Sequence, residues 1–403
     1  MAEADPGVRR LPLRALVLYA LAWGGGAIAY VPFLTILLPV RVERLAGHEN
    51  SVAWLAYIAF AGAIAASVGH IAFGYLSDIT RRRRVWILLG LVLSCLLLVA
   101  VSQATGLASL LTVIVLWQLA LNMMLAPLGA WAGDGVPDSQ KGLLGGLLAF
   151  APALGALSGA LVTWPDLASA DLRLVLVAGI VALCVLPLVV LAPMREGPGE
   201  EELARIDHSD PPRFLRSGLV RRMWLARLAV QIAEAALFAY LYLWLRSLDP
   251  GLTDSRSAQV FSTVLFCSAP LAVAVGHWAD RRGKPLLPLV ASALVSACGL
   301  LLMALVRDVT QAFAAYALFG LASAVFLALH SAQTLRVLPR PERRGRDLGL
   351  FNLTNTGPSL IMPWLVLLLV PQFGFGAMFL LLAGLAMTAG AILRATHGKS
   401  DPP

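Results

Sequence analysis

Long apolar blocks constrain the fold of this chain more than any other feature. A helix that crosses a bilayer needs roughly 20 apolar residues, because lipid offers its backbone no hydrogen-bond partners. Hydrophobic residues make up 59% of the 403 residues, and only 13% are charged. Twelve apolar blocks can be distinguished, at residues 15–40, 51–77, 85–103, 107–132, 142–164, 172–193, 223–247, 256–279, 285–306, 310–337, 347–371 and 374–395. We therefore predict an all-α polytopic membrane protein with twelve transmembrane helices.

The distribution of positive charge predicts the orientation of these helices. Most of the 31 Lys and Arg residues fall in alternate connecting segments, counted from the N-terminus, and they include the run at 81–84. Such an excess marks the cytoplasmic side of a membrane. Both termini are therefore expected in the cytoplasm, with the chain in a plasma membrane, namely a bacterial inner membrane. Topology accounts for the net charge of +8, so we predict no nucleic-acid partner.

The sequence offers no motif for catalysis or for a cofactor. The four cysteines lie in four different apolar blocks, without the spacing of a zinc site. No HExxH motif, nucleophile elbow or phosphate-binding loop is present. We expect no enzyme activity, no cofactor, no metal and no disulfide.

The second half of the chain repeats the first. The stretch GYLSD at Gly74 matches GHWAD at Gly276, 202 residues later. The loop at 136–142 matches the loop at 338–345 with the same offset. This pattern predicts two parallel six-helix repeats joined by a charged, Pro- and Gly-rich cytoplasmic linker. The predicted domains are residues 1–193, the linker 194–222, and residues 223–403.

The repeated loop motif resembles that of the major facilitator superfamily, G-x-[LW]-x-D-R-x-G-[RK]. GHWADRRGKP matches it well, whereas GYLSDITRRRR has Ile79 and Arg81 where Arg and Gly are usual. The resemblance implies two bundles that rock about a central cavity lined by the first, fourth, seventh and tenth helices. The motif is interpreted as a cytoplasmic latch between conformations, with simple topological anchoring as the alternative. Its residues are Gly74, Asp78, Arg82, Gly276, Asp280, Arg281, Gly283 and Lys284.

The seventh apolar block carries the main candidate site. Arg227, Gln231, Glu234, Phe238 and Tyr242 recur at spacings of three or four, which places them along one face of a helix. Glu234 is a carboxylate deep inside a block, where burying an ionisable group costs at least ~2.5 kcal/mol. We predict that it carries a coupling proton or binds a cationic group. The alternative is a structural Glu, neutral or paired with Arg227.

Other polar residues in the blocks are candidates for the same cavity. A His at this depth could relay a proton or hold helices together, and amides and aromatic rings suit a hydroxyl-rich solute. The additional proton-coupling candidates are His330 and Gln333. The substrate-binding candidates are Trp23, Tyr30, Gln118, Asn122, Phe238, Tyr242 and Asn355.

These features predict a secondary active transporter that works as a monomer in the lipid bilayer. Its predicted partners are a small organic solute and a coupling proton or cation. The loops GYLSDITRRRRVWILLG and GDGVPDSQKG resemble those of glycoside–cation and sucrose-type symporters, which favours uptake of a sugar-like solute. Proton-coupled export of drugs or metabolites is the alternative. The fourth block lacks the Arg usual in such exporters, and the fifth keeps only part of their glycine pattern. A non-transporting membrane sensor is a further alternative.

Overall fold

The described part of the chain is helical, with short turns between the helices and no strand. The computed structural model describes residues 11–136, 140, 144, 147–148, 150–191, 218–282, 286–337 and 344–397. Most of the predicted linker 194–222 lies outside these residues, so its bounds and role stay predictions.

Within the described ranges, eleven α-helices follow one another. They are α1 (Leu13–Pro32), α2 (Leu38–Thr80), α3 (Arg83–Ala100), α4 (Leu107–Gly135), α5 (Ala151–Val162), α6 (Ala170–Leu191), α7 (Gly218–Leu248), α8 (Asp254–Arg282), α9 (Leu287–Leu305), α10 (Val309–Val337) and α11 (Arg344–His397). A π-helical turn, Phe33–Leu37, joins α1 to α2 directly after Pro32.

Nine segments of the described chain are long and apolar enough to cross a membrane. Two of these, Leu13–Thr80 and Gly357–Ala395, are longer than one crossing requires. Each is interrupted by a glycine with positive φ, Gly47 at 73° and Gly374 at 72°. Because glycine has no Cβ, it adopts this conformation readily and lets the chain change direction between helices. The predicted all-α membrane fold is confirmed, and the crossings agree with the twelve apolar blocks.

The helices pack into two compact units. The first unit contains the chain up to Leu37 and Ala61–Ser209, and the second contains Leu38–Phe60 and the chain from Asp210 onward. In the first unit, α1 packs against α5 and α6, and α3 packs against α4 and α6. In the second unit, α11 packs against α7 and α9, and α10 packs against α8 and α9.

Each unit uses a glycine to bring two helices into backbone contact. A Cβ on Gly90 of α3 would lie 2.8 Å from Met123 C of α4. A Cβ on Gly299 of α9 would lie 2.7 Å from Phe319 N of α10. Small residues permit such close approach in lipid, where helices associate through van der Waals contact and hydrogen bonds.

Arg81 ends α2 in an unusual conformation. Its φ of 52° and ψ of 27° lie in the left-handed region. This conformation costs most residues roughly 1 kcal/mol or more, and glycine is therefore the usual residue at a helix end of this kind. The 202-residue repeat aligns Arg81 with Gly283, which lies outside the described residues. The departure of the first motif from the family pattern therefore has a physical cost.

Replacing the contact glycines by alanine is expected to destabilise the protein. Gly90→Ala and Gly299→Ala push a methyl group into the backbone of the facing helix, and overpacking of this kind typically costs about 1–3 kcal/mol. Gly179→Ala in α6 and Gly384→Ala in α11 are matched controls, because a Cβ added at either position would meet nothing within 4 Å. Thermal unfolding in detergent should show a lower midpoint for the first pair only. Equal midpoints for all four variants would contradict the packing argument.

Replacing Arg81 by glycine is expected to stabilise the end of α2. Arg81→Gly relieves the left-handed strain and should raise the free energy of unfolding by about 1 kcal/mol. Arg82→Gly is the control, because Arg82 has a φ of −120° and a glycine relieves no strain there. The prediction fails if Arg81→Gly unfolds at the same temperature as Arg82→Gly or below it.

Candidate functional site

Glu234 lies near the middle of α7 and binds a hydroxyl group of α10. Ser323 Oγ donates a hydrogen bond to Glu234 Oε1, and Gly320 O lies 3.2 Å from the same hydroxyl oxygen. Ser323 is fully buried, whereas Glu234 is half-buried. A hydroxyl group has one proton to donate and two lone pairs that accept. With Glu234 ionised, Ser323 donates to it; with Glu234 protonated, Ser323 accepts from it and donates to Gly320.

The side of α10 that carries Ser323 also carries other polar groups. Tyr316, Ser323 and His330 follow one another at intervals of seven residues, so they share a side of the helix. Tyr316 is buried. Sequence reasoning missed Tyr316 and Ser323, because a single hydroxyl in an apolar block does not by itself indicate a site.

His330 is fully buried and joins α10 to α7. Its Nε2 lies 2.9 Å from Met223 O, and its Nδ1 lies 3.2 Å from Thr334 Oγ1. Because a carbonyl oxygen only accepts, the tautomer with a proton on Nε2 fits this geometry. His330 lies seven residues from Ser323, about 10 Å along the axis of α10. The structure therefore does not bring its ring to Glu234.

Arg227 also contacts α10. Like Met223, it precedes Glu234 in α7. Its Nη1 donates to Ser331 Oγ at 2.9 Å and to Leu327 O at 3.4 Å. Gln333 is buried on the same helix, and Gln231 is half-buried one turn from Arg227. Three of the predicted polar residues thus have hydrogen-bond partners across the α7–α10 contact, namely Glu234, Arg227 and His330.

The candidate residues on α7 run from Arg227 to Tyr242. The Tyr242 end of this row contacts the Leu38–Phe60 segment. Tyr242 is buried and hydrogen-bonds to Glu43, whose Oε2 lies 3.5 Å from Arg246 Nε. Phe238 packs edge-on against Phe261 of α8, with ring centroids 6.2 Å apart. Tyr242 is therefore engaged by an acidic side chain of its own unit, while Phe238 is half-buried.

The glycine run in α1 serves close packing. A Cβ on Gly24, Gly25 or Gly26 would lie no more than 2.9 Å from an atom of α5, α6 or α4, respectively. Trp23 lies beside this run, and its ring is 3.6 Å from the Cβ position of Gly129 in α4. Tyr30, one turn before the π-helical segment, is half-buried. The three glycines therefore allow α1 to approach three neighbouring helices closely.

The amide residues of α4 face α2. Asn122 Oδ1 lies 3.2 Å from His70 Nδ1, and Asn122 Nδ2 donates to Gln118 O at 2.9 Å. The side chain of Gln118 lies 3.6 Å from the Cβ position of Gly62. Asn122 is buried and Gln118 is half-buried. Within the first unit these groups connect helices, and Gln118 keeps part of its surface exposed.

The first copy of the loop motif is held by a residue that sequence reasoning did not choose. Arg83 Nη2 donates to Asp78 Oδ1 at 3.0 Å, and Arg83 is buried, whereas Arg82 is exposed. Gly74 approaches α4 closely enough for its Cβ position to lie 3.9 Å from Ala126 Cβ. Asp78 thus connects the end of α2 to the start of α3.

The second copy of the motif is only partly described. Gly276 packs tightly, because its Cβ position lies 3.0 Å from Leu329 Cδ2 of α10. Arg281 is exposed, and Arg282 lies over the ring of Trp278, 5.9 Å from its centroid. Gly283 and Lys284 lie outside the described residues, as do the side chains of Asp280 and Asn355, so their predicted roles stay predictions.

These groups together offer hydrogen bonding and proton exchange. Within the described ranges, no three His, Cys, Asp or Glu side chains are grouped so that they could hold a metal ion. The distinctive chemical unit is the carboxyl of Glu234 with its hydroxyl partner, flanked by aromatic and amide side chains. Such a unit can bind a proton or a polar solute without covalent chemistry.

Comparison with curated proteins finds a partial relative. Multidrug resistance protein MdtG of Serratia proteamaculans (strain 568) is 30% identical over 170 residues, which cover 41% of this chain and 40% of that protein. The likeness therefore spans about two fifths of the relative's length.

Solved structures of transporters share the fold. A POT family transporter in complex with a thioalcohol-conjugated peptide has a TM-score of 0.74 at 15% identity, covering 96% of both chains. The nucleoside transporter NupG has a TM-score of 0.68 at 13% identity, covering 94% of this chain and 99% of that one. The human organic anion transporter MFSD10 has a TM-score of 0.64 at 16% identity, covering 95% and 100%. At these identities the likeness concerns the fold alone.

The family comparison covers most of the chain. The family model described as Major Facilitator Superfamily matches residues 15–307 and 223–403. The helical architecture and the transporter folds above agree with that match. This chain belongs to the Major Facilitator Superfamily.

Proposed function

We propose that this chain is a proton-coupled secondary transporter of a small organic solute, with Glu234 as the coupling group. The family supports transport, and the observation that supports coupling is the hydrogen-bond chain from Glu234 through Ser323 to Gly320. Burying a carboxyl in a membrane-spanning helix is costly unless the group has a partner, and such groups usually have a function. Here its partner can accommodate both protonation states by rotating one hydroxyl hydrogen.

Coupling follows from the requirement that solute and proton share the same conformational cycle. In the proposed rocker-switch cycle, Glu234 exchanges its proton with one side of the membrane at a time. A carboxylate and a neutral carboxyl interact differently with a bound solute, so protonation changes the solute affinity. The hydrogen bond between Asp78 and Arg83 would hold the α2–α3 turn on the cytoplasmic side during this cycle.

The solute is proposed to be hydroxyl-rich, as the loop resemblance to sugar symporters suggests. Half-buried Trp23, Tyr30 and Gln118 keep exposed surface in the first unit. Aromatic rings can stack on a sugar, and an amide can bind its hydroxyl groups. Phe238 and Gln231 would contribute in the same way in the second unit.

Export is a second candidate, because the curated relative is named a multidrug resistance protein. The relative covers part of the chain, and the Arg expected in the fourth helix of proton-coupled drug exporters is absent from this sequence. Under this alternative, Glu234 would exchange its proton against an outgoing organic compound.

Replacing Glu234 by glutamine is expected to separate exchange from accumulation. Glu234→Gln keeps the size and the contact with Ser323 but cannot release a proton. In proteoliposomes loaded with a transported solute, solute exchange should persist, whereas accumulation driven by a pH gradient should fall at least tenfold.

The control for this variant is Asp166→Asn. Asp166 is an exposed carboxylate in the turn between α5 and α6, and its φ of 59° is a conformation that asparagine tolerates. It should accumulate solute like the unmodified chain. If Glu234→Gln still accumulates solute against a gradient, Glu234 is not the coupling group.

Direction of transport can be determined by opposite growth phenotypes. Uptake of a hydroxyl-rich solute predicts that a deletion strain grows poorly on at least one single carbon source and that the gene restores growth. Export predicts normal growth on every carbon source but an inhibitory concentration at least fourfold lower for some toxic compound. Complementation with Glu234→Gln should fail in whichever assay the unmodified gene restores. Restoration by this variant would remove the proton-coupled proposal in both directions.

A further inference from the structure

A separate cavity of about 510 Å³ lies at one end of the second unit. Its walls come from residues 48–53 at the start of the second crossing, 243–248 at the end of α7, 303–306 after α9, and 370–376 at the break in α11. Small-molecule sites usually measure roughly 300–1,000 Å³, so this cavity is large enough for a compact organic ligand. The charge asymmetry of the sequence predicts that all four helix ends face away from the cytoplasm.

The cavity is distinct from the Glu234 site. Ser247 lines it and follows Glu234 by 13 residues in α7. At a rise of 1.5 Å and a turn of 100° per residue, the two side chains are about 20 Å apart along the helix and on nearly opposite sides. Occupation of the cavity therefore does not require occupation of the proposed transport site.

The lining combines apolar walls with one negative charge. Half-buried Phe375 contributes aromatic surface, while Trp244 and Met303 line the wall and are themselves buried. Glu49 contributes an exposed carboxylate. Its described lining residues include neither Lys nor Arg. His48 also lines the cavity, and its Nδ1 lies 3.7 Å from Glu43 Oε1. Glu43 also lies 3.5 Å from Arg246, so this second carboxylate already has partners in this unit. Glu49 is the acidic group that faces the cavity.

Aromatic surface beside a carboxylate is the chemistry that recognises organic cations. The face of an aromatic ring attracts a positive charge, and a carboxylate adds direct ionic attraction. Glu49 would repel an anion, and a small hydrated metal ion would gain little from apolar walls. Ser51 and Ser247 also line the cavity, but their hydroxyls already donate hydrogen bonds to His48 O and Trp244 O, respectively.

We propose that this cavity binds a lipophilic organic cation, an ammonium or phosphonium group on an apolar body, with Glu49 as its counter-ion. Two sources share this chemistry, namely a free organic cation and the amine headgroup of a phospholipid. The site would lie where α7, α9 and the break in α11 reach the outer membrane surface.

Equilibrium binding of radiolabelled tetraphenylphosphonium to the purified full-length protein tests this site. The protein is kept in dodecyl maltoside, which is uncharged and contains no amine. The unmodified chain should bind one equivalent saturably. Glu49→Gln should weaken binding about fivefold, the effect of one partly exposed ion pair. Ser247→Phe should weaken binding by occupying part of the cavity, and Asp166→Asn should bind normally.

Two further measurements distinguish the possible outcomes. If Glu234→Gln loses binding while Glu49→Gln and Ser247→Phe keep it, the cation binds at the transport site and the cavity proposal is overturned. Unchanged affinity in Glu49→Gln alone also overturns it, since this exposed substitution should not disturb folding. Phosphatidylethanolamine is then added to compete with tetraphenylphosphonium. Competition in the unmodified chain but not in Glu49→Gln supports a lipid headgroup as the occupant, and absence of competition supports a free cation. Because the assay has no gradient, its result is independent of proton coupling.

Discussion

The absence of water from the bilayer core is the constraint on which the rest of this structure depends. Backbone groups must be hydrogen-bonded within each crossing, which leaves helices as the available structure for this chain. Polar side chains inside those helices need partners of their own. Asn122 is hydrogen-bonded to His70, His330 to the backbone of Met223, and Glu234 to Ser323. Each of these contacts joins two helices, so the polar groups help to determine which helices pack together.

Much of the fold could be predicted because crossing a membrane leaves a strong signal in composition. The apolar blocks, the alternating basic segments and the repeated GYLSD and GHWAD stretches were sufficient for an all-α duplicated membrane fold. The units formed by packing were less predictable. Residues 38–60 pack with the second unit, and no local property of those residues indicates this, since either unit offers an apolar surface.

Only the part of the candidate site that lies on α7, the helix that carries Glu234, could be predicted from the sequence. Glu234 is conspicuous because ionisable groups are rare in apolar blocks. Ser323 is one of many serines in such blocks, and a lone serine carries no signal, because it can satisfy its hydroxyl on its own helix, as Ser94 does with Leu91 O. In the same way, a run of four arginines does not reveal which of them reaches Asp78. Arg83 does so because it begins α3 and points back into the turn, which depends on backbone geometry.

Glu234 and His330 both lie at the α7–α10 contact, but they differ in what they can do. His330 has no exposed surface, and its ring nitrogens contact Met223 and Thr334. Because the ring has no surface in contact with water, α7 and α10 would have to separate before it could exchange a proton. Glu234 is half-buried, and its hydroxyl partner accepts as well as donates. Proton exchange at Glu234 therefore requires the rotation of one hydrogen, whereas at His330 it requires the separation of two helices.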